Sequence, residues 1–252
     1  MLVLLKHRLD LSRGTKQPIF LTTEWHHLAM LNYEIDPAVL EPFLPKGTEL
    51  DTWNGKHYIS VVGLLFLNTR LYGIPVPFHR DFEEINLRFY VRREVAGEAR
   101  RGVVFVKEIV SKPAITMVAR AFYNENYVTL PTSHSLKRGG KGLSLSYQWR
   151  QPDFTHSLRV DAKGTPTLIR DNTKEEFISE HYWGYAVQRD GGTLEYEVEH
   201  PRWRVWNINE ATLSCDVERI YGIRFAEYIG ANPESALLAE GSPVIVRKGT
   251  RI

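Results

Sequence analysis

The sequence is poor in the residues that mark several large classes of protein. Its 252 residues include one cysteine, Cys215, so no internal disulfide forms and no cysteine-based zinc site exists. The longest apolar run, residues 61–67, is interrupted by Gly63 and is far shorter than the roughly 20 residues of a membrane-spanning helix. Disulfide-stabilised scaffolds and helical membrane proteins are therefore excluded, and we expect no membrane partner.

An excess of charge of one sign is also missing. The 32 lysine and arginine residues nearly balance the 30 aspartate and glutamate residues, so the formal net charge is +2 and no nucleic-acid partner is expected. The apolar residues 1–5 are followed at once by Lys6, whereas a signal peptide carries its basic residues before the apolar stretch. We therefore predict a cytoplasmic protein.

Familiar motifs of catalysis and cofactor binding are absent as well. The glycine-rich residues 138–142 lack the spacing of a phosphate-binding loop, and the G-x-S-x-G elbow of serine hydrolases does not occur. The nine histidines show no H-x-H or H-x₃-H spacing, and the adjacent His26 and His27 point to opposite faces of a strand. We expect neither a metal nor an organic cofactor.

What the sequence does have is a recurring alternation of apolar and polar residues, interrupted by glycine, proline, asparagine and aspartate. This pattern is typical of β-strands and turns, and the 43% of apolar residues suffices for a large core. Few helices are inserted, among them residues 113–123 and 174–180, and a regular βαβ alternation is missing. We predict a mainly β (α+β) fold in which residues 1–252 form a single domain, a closed or nearly closed β-barrel with a few peripheral helices.

Some segments carry specific expectations about local structure. Residues 133–142 are rich in serine, lysine, arginine and glycine, which predicts an exposed turn. Asp36 and Pro37 predict the N-cap and first turn of a short helix. Residues 28–35 predict a strand, and strict alternation assigns one set of side chains to a common face: Trp25, His27, Ala29, Leu31, Tyr33 and Ile35.

The strand predicted at residues 83–92 has one polar and one apolar face. Glu84, Asn86 and Arg88 alternate with apolar residues that all point the other way. One interpretation is an ordinary sheet with a solvated side. The other is a strand whose polar side lines a ligand cavity inside a barrel. The pattern by itself leaves both interpretations open.

Lys107 is a second candidate for chemistry. By alternation it shares a strand face with Val103, Phe105 and Ile109. A lysine desolvated on such a face loses basicity and becomes an amine nucleophile that forms a Schiff base with a ketone. The alternative is that Lys107 marks a strand edge or extends to water, with Glu108 as a solvated neighbour.

Five short segments occur in a characteristic order along most of the chain. They are WHHLAMLNY (25–33), LPKGTELD (44–51), WNG (53–55), FEEINLR (82–88) and LAEGSPV (238–244). Together they resemble the YqjF-like family of uncharacterised bacterial proteins, and the resemblance extends over about residues 20–248.

The resemblance implies the fold of acetoacetate decarboxylase, a β-barrel enzyme around a small cavity, with which the family is grouped. That enzyme uses a cavity lysine as Schiff-base nucleophile, with a glutamate and an arginine nearby. The resemblance implies Glu84 for the glutamate and puts His26 near the arginine position. Asn126 or Tyr127 stands where the lysine is expected, in residues 119–127, which contain no lysine. Since no imine forms without an amine, the resemblance implies the fold without the decarboxylase chemistry.

These observations predict a protein that binds a small carboxylate or carbonyl compound in a barrel cavity without Schiff-base chemistry. Arg88 would clamp a carboxylate through two parallel hydrogen bonds, and Glu84 would serve as acid or base. The predicted ligand-binding residues are Glu84, Asn86, Arg88, His26, Asn126 and Tyr127.

Two alternatives stay open at this point. One is an active lyase in which Lys107 replaces the missing amine. The other is a non-enzymatic binding or assembly protein, whose cavity is packed shut and whose exposed strand edges form homo-oligomers.

Overall fold

The structure is a computed structural model that describes residues 16–140 and 142–252, and most of these residues lie in strands. The strands are β1 (Ile19–Ile35), β2 (Glu49–Leu50), β3 (His57–Leu71), β4 (Ile74–Pro75), β5 (Phe82–Val95), β6 (Glu98–Val110), β7 (Tyr127–Thr129), β8 (Thr132–Gly139), β9 (Gly142–Gln151), β10 (Phe154–Leu168), β11 (Trp183–Val187), β12 (Thr193–Glu199), β13 (Arg204–Ser214), β14 (Ser235–Arg247) and β15 (Thr250–Arg251). The helices are α1 (Pro37–Leu40), α2 (Pro113–Phe122), α3 (Lys174–Ser179), α4 (Val217–Tyr221) and α5 (Ile223–Ala226), with a 3₁₀ turn at Glu41–Phe43. The predicted mainly β fold is confirmed.

Seven strands form a ring. They are hydrogen-bonded neighbours in the order β12, β11, β6, β5, β3, β1 and β14, and β12 also pairs with β14. The closing contact consists of Val198 opposite Val246 and Glu199 opposite Ile245. Closure of a sheet on itself removes its exposed edges and gives it an inside and an outside.

Further strands leave the ring and cover part of its outside. β13 pairs with β14 through Val205 and Ala239, and β10, β9 and β8 follow as successive neighbours. Tyr147 of β9 and Leu158 of β10 lie in one buried cluster with apolar residues of β1, β3 and β5, such as Leu87. The shared ring strands are therefore buried on both faces.

In strand β5, apolar and polar residues alternate, and both faces of the strand are buried. Its apolar residues Ile85, Leu87, Phe89 and Val91 all pack in the cluster under the outer strands. Glu84, Asn86 and Arg88 point to the inside of the ring, and they are only 3%, 3% and 8% exposed. The polar face of this strand is therefore enclosed, and the solvated interpretation does not apply.

A β-bulge interrupts the alternation in β1. The register with β3 shifts between His26 and Ala29, and His27 has a φ of 52°, in the left-handed region. As a result Trp25 packs with Phe66 inside the ring, whereas Ala29 lies in the cluster on the outer side. The prediction that Trp25 and Ala29 share a face is wrong, because the bulge adds a residue and reverses the alternation.

The exposed turn predicted at residues 133–142 is also wrong in part. The side chains of β8 are mostly exposed, but β8 pairs with β9 along its whole length. β8 is the last strand of its sheet and is held by backbone hydrogen bonds to β9, while Leu136 is its one apolar side chain packed against the core.

The N-cap predicted at Asp36 is confirmed, and Thr173 caps α3 in the same way. The Asp36 carboxylate accepts a hydrogen bond from the Ala38 amide at 2.9 Å, and the Thr173 hydroxyl accepts one from the Glu176 amide at 3.2 Å. No helix in the described part of the chain is long and apolar enough to cross a membrane.

The contact between β1 and β14 generates a stability prediction. Gly241 lies opposite His26 with a φ of 93°, and a Cβ there would lie 1.8 Å from the Trp25 carbonyl oxygen. Gly222 has a similar φ of 99° but open space around it. We expect backbone strain alone to lower the free energy of unfolding of both alanine variants by about 1–3 kcal/mol. Gly241→Ala should lose clearly more, because strand β1 or β14 must also move.

Urea denaturation of the wild type and both variants measures this difference as the free energy of unfolding. Equal losses in the two variants would contradict the close approach of β1 and β14.

Candidate functional site

The ring of strands surrounds a partly open cavity of about 250 Å³. Its wall is mostly apolar, with Trp25 and Phe66 from β1 and β3, Phe105 from β6, and Ile115 and Val118 from α2. The polar or ionisable lining residues are Thr69, His79, Glu84, Arg88, Glu108, Tyr123, Glu125, Tyr127, Ser179, His181, Tyr196 and His200. An apolar hollow with a few convergent polar groups is the usual form of a small-molecule site.

Arg88 is a buried cation in this wall without a contacting counter-ion. Its Nη2 donates to the Ile178 carbonyl oxygen at 3.2 Å and lies 3.4 Å from the Met30 sulfur. Its Nε has no hydrogen-bond partner, and no ion pair of 4.0 Å or shorter between described residues includes it. A desolvated guanidinium with an unused donor favours the arrival of an anion.

Glu84 is held as an anion by two donors. Its Oε1 accepts a hydrogen bond from Asn86 Nδ2 at 3.0 Å, and its Oε2 accepts one from the Tyr127 hydroxyl at 2.8 Å. Burial raises the pKa of Glu84 to about 6, against the opposing effects of these two hydrogen bonds and of the Arg88 charge. Glu84 is therefore mainly ionised at neutral pH.

Two further carboxyl groups lie in the same cavity and keep their protons. Burial, together with the charges of neighbouring carboxylates, raises the pKa of Glu108 well above its ordinary value. Burial likewise raises the pKa of Glu125 to about 8, although the Tyr196 hydroxyl donates to its Oε1 at 3.0 Å. Glu108 Oε2 has no hydrogen-bond partner.

A bulge in β6 explains why Glu108 faces the cavity and Lys107 does not. Leu87 lies opposite Lys107, but the next residue of β5, Arg88, lies opposite Phe105, so β6 contains an extra residue, Val106. Phe105 and Glu108 consequently line the cavity. The interpretation of Lys107 as an edge residue, with Glu108 as a solvated neighbour, is wrong for Glu108, because a single extra residue within a strand leaves no sequence signal.

Lys107 points away from the cavity. Its ammonium group donates to the carbonyl oxygen of Ile220 in α4, and burial lowers its pKa. Ile220 belongs to the cluster between the ring and the outer strands. The structure therefore separates the candidate amine from the cavity, and the face predicted for Lys107 with Val103 and Phe105 is wrong.

The other predicted site residues divide between the cavity and the surface. Tyr127 lines the cavity, and Asn86 reaches it through its hydrogen bond to Glu84. His26 is not a lining residue, and its Nε2 lies 3.0 Å from the Glu24 carboxylate near the surface. Asn126 is exposed, and its side-chain amide donates to the carbonyl oxygen of Val106 at 2.9 Å. Asn126 thus supports the bulge and does not line the cavity.

Two of the three histidines that line the cavity, His181 and His200, had no signal in the sequence. His181 is buried, and neither of its ring nitrogens has a hydrogen-bond partner. Burial and the charges of Arg101 and Arg88 hold its pKa well below the ordinary value, so the ring is neutral. His200 stacks on Trp203 with ring centres 4.2 Å apart. Within the described ranges no group of three or more His, Cys, Asp or Glu side chains is arranged to hold a metal ion.

The protonated carboxyl groups make stability depend on pH. Between its ordinary pKa of 4.5 and about 8, Glu125 is ionised in the unfolded chain but protonated in the folded one, so rising pH favours unfolding. The free energy of unfolding of the wild type minus that of Glu125→Gln should fall by about 1.4 kcal/mol per pH unit across this range.

Urea denaturation at a series of pH values measures the difference. The surface variant Glu240→Gln is the control for removal of one carboxylate. A difference between wild type and Glu125→Gln that rises with pH would contradict a buried, protonated Glu125.

The fold has relatives among solved structures. An acetoacetate decarboxylase-like enzyme from Sphingomonas wittichii RW1 superposes with a TM-score of 0.63 at 12% identity, over 98% of this chain and 99% of that one. Acetoacetate decarboxylase from Legionella pneumophila gives a TM-score of 0.62 at 12% identity, over 98% and 93% of the two chains. The enduracididine biosynthesis enzyme MppR, complexed with pyruvate, gives 0.63 at 12% identity over 95% and 93%. At these identities the likeness establishes the acetoacetate-decarboxylase-like fold alone.

Sequence relatives lead to a family. The uncharacterised protein YqjF of Bacillus subtilis (strain 168) is 26% identical over 206 residues, which cover 81% of this chain and 82% of that protein. Residues 22–243 match the family DUF2071, described as "Uncharacterized conserved protein (COG2071)". The predicted YqjF-like resemblance is thus confirmed, and the chain belongs to the DUF2071 family.

Proposed function

We propose that this protein binds a small monocarboxylate with an apolar body in the ring cavity, anchored by Arg88 and without an imine to a lysine. The observation that carries the proposal is the buried guanidinium of Arg88, which has an unused donor and no carboxylate in contact. A planar carboxylate matches a guanidinium in shape and charge, and the low dielectric of the cavity strengthens the attraction.

The dimensions and lining of the cavity favour a small ligand. Since an apolar cavity of about 150 Å³ holds one benzene molecule, about 250 Å³ accommodates a body of that size with a carboxylate and a carbonyl group. The aromatic and aliphatic walls favour an apolar body. The solved neighbour MppR is complexed with pyruvate, a small 2-oxo carboxylate, which supports the same class.

The position of lysine supports binding without an imine. Among the described residues that line the cavity there is no lysine, and Lys107 is hydrogen-bonded to Ile220 on the other side of the sheet. An imine requires an unprotonated amine within bonding distance of the ligand carbonyl.

The test is ligand binding by wild type and two matched arginine variants. Arg88 and Arg92 lie on the same strand, but Arg92 is exposed and pairs with Glu49 at 2.8 Å. We expect 3-phenylpropanoate and 4-methyl-2-oxopentanoate to raise the melting temperature of the wild type and of Arg92→Met. Arg88→Met should lose at least roughly 30-fold in affinity, because a buried charged contact contributes about 2–5 kcal/mol.

Thermal shift and titration calorimetry provide the measurements, and the neutral amides of the same acids are the ligand controls. Equal binding by wild type and Arg88→Met, or equal binding of acids and amides, would contradict the anchoring role of Arg88.

A further inference from the structure

We propose that the cavity catalyses proton exchange at the carbon next to the carbonyl group of a bound 2-oxo acid, with Glu84 as the base and Glu108 as the acid. This inference rests on the proposed function, since Arg88 must first hold the carboxylate of the substrate. It adds a reaction to the binding of that ligand and needs no amine.

The first argument is the energetic cost of the carboxyl groups. Glu84, Glu108 and Glu125 are 3%, 3% and 8% exposed and line one cavity together with Arg88. A buried carboxyl group without enough hydrogen-bond partners destabilises a fold, whereas an apolar side chain at the same position would not. Such clusters in a cavity are typical of sites where protons are transferred.

The second argument is that the cluster is already divided into a base and acids. Glu84 is the anion, with hydrogen bonds from Asn86 and Tyr127. Glu108 lies on the neighbouring strand and keeps its proton, and its Oε2 has no partner within the protein. Moving one proton onto a substrate and another off it requires two nearby carboxyl groups, one protonated and one ionised.

Tyr127 connects the two groups. It pairs with Glu108 in the parallel register of β6 and β7, and its hydroxyl donates to Glu84 at 2.8 Å. A bound carboxylate adds negative charge to the cavity and so raises the pKa of Glu84 further. The pKa then lies closer to neutral pH, where a general base is most effective.

The reaction balances without any further reactant. Arg88 holds the carboxylate, a C–H bond next to the carbonyl breaks, and its proton passes to the Glu84 carboxylate. The electron pair forms a C=C bond, and the carbonyl oxygen takes the proton of Glu108 to give the enol. The reverse steps restore the 2-oxo acid, and in deuterated water they leave deuterium on the carbon once the cavity carboxyl groups have exchanged with solvent.

Proton NMR of 4-methyl-2-oxopentanoate in deuterated water tests the proposal. We expect wild-type protein and Glu83→Gln to reduce the C3 signal to about half, because one base on one face of the substrate exchanges one of the two C3 hydrogens. Glu84→Gln or Glu108→Gln should do so at least about 100-fold more slowly. Glu83 is the matched control, because it is adjacent to Glu84 but its carboxylate lies 2.7 Å from His134 Nδ1, away from the cavity.

Binding of the same compound, followed by thermal shift, separates the two proposals. A thermal shift with equal exchange rates for wild type and Glu84→Gln would overturn the proton-exchange proposal and leave the binding proposal intact. The absence of both a thermal shift and exchange would overturn both. Circular dichroism of each variant, compared with wild type, establishes that a lost rate does not come from a lost fold.

Discussion

Burial on both faces of β5 is the constraint on which the cavity depends. The outer face must fill the apolar space under β9 and β10, and residues such as Leu87 and Phe89 do so. The inner face is then free to carry groups that an ordinary core would reject. Because successive side chains alternate between faces, the same short segment supplies apolar packing and a polar wall at once.

The electrostatics of the cavity follow from the same arrangement. One guanidinium, one ionised carboxylate and two protonated carboxyl groups lie in one apolar cavity. Their charges nearly cancel, but not every polar atom among them has a hydrogen-bond partner. Glu84 is satisfied by Asn86 and Tyr127, whereas Arg88 and Glu108 each keep an unpaired atom. Both unpaired atoms are buried, so leaving them without a partner costs free energy.

Much of the fold, and part of the site, could be predicted from the sequence. The alternation around Glu84, Asn86 and Arg88 correctly separated two faces, and the motif resemblance gave the fold. Alternation could not predict the positions at which the side chains of a strand change from one face to the other. The extra residues near His27 and at Val106 moved Trp25 and Glu108 into the cavity and Lys107 out of it. Bulges depend on pairing between distant strands, so a local pattern does not reveal them.

The two-pair contact between β12 and β14 has a consequence for how the protein is made. β14 also pairs with β1, so the ring closes only when residues more than 200 positions apart have met. Contacts of such separation form slowly, because the intervening chain loses much conformational freedom before the contact is gained. Until β14 has left the ribosome, the charged side chains of the cavity remain in contact with water. The nascent chain also exposes unpaired strand edges, to which neighbouring copies or chaperones can bind.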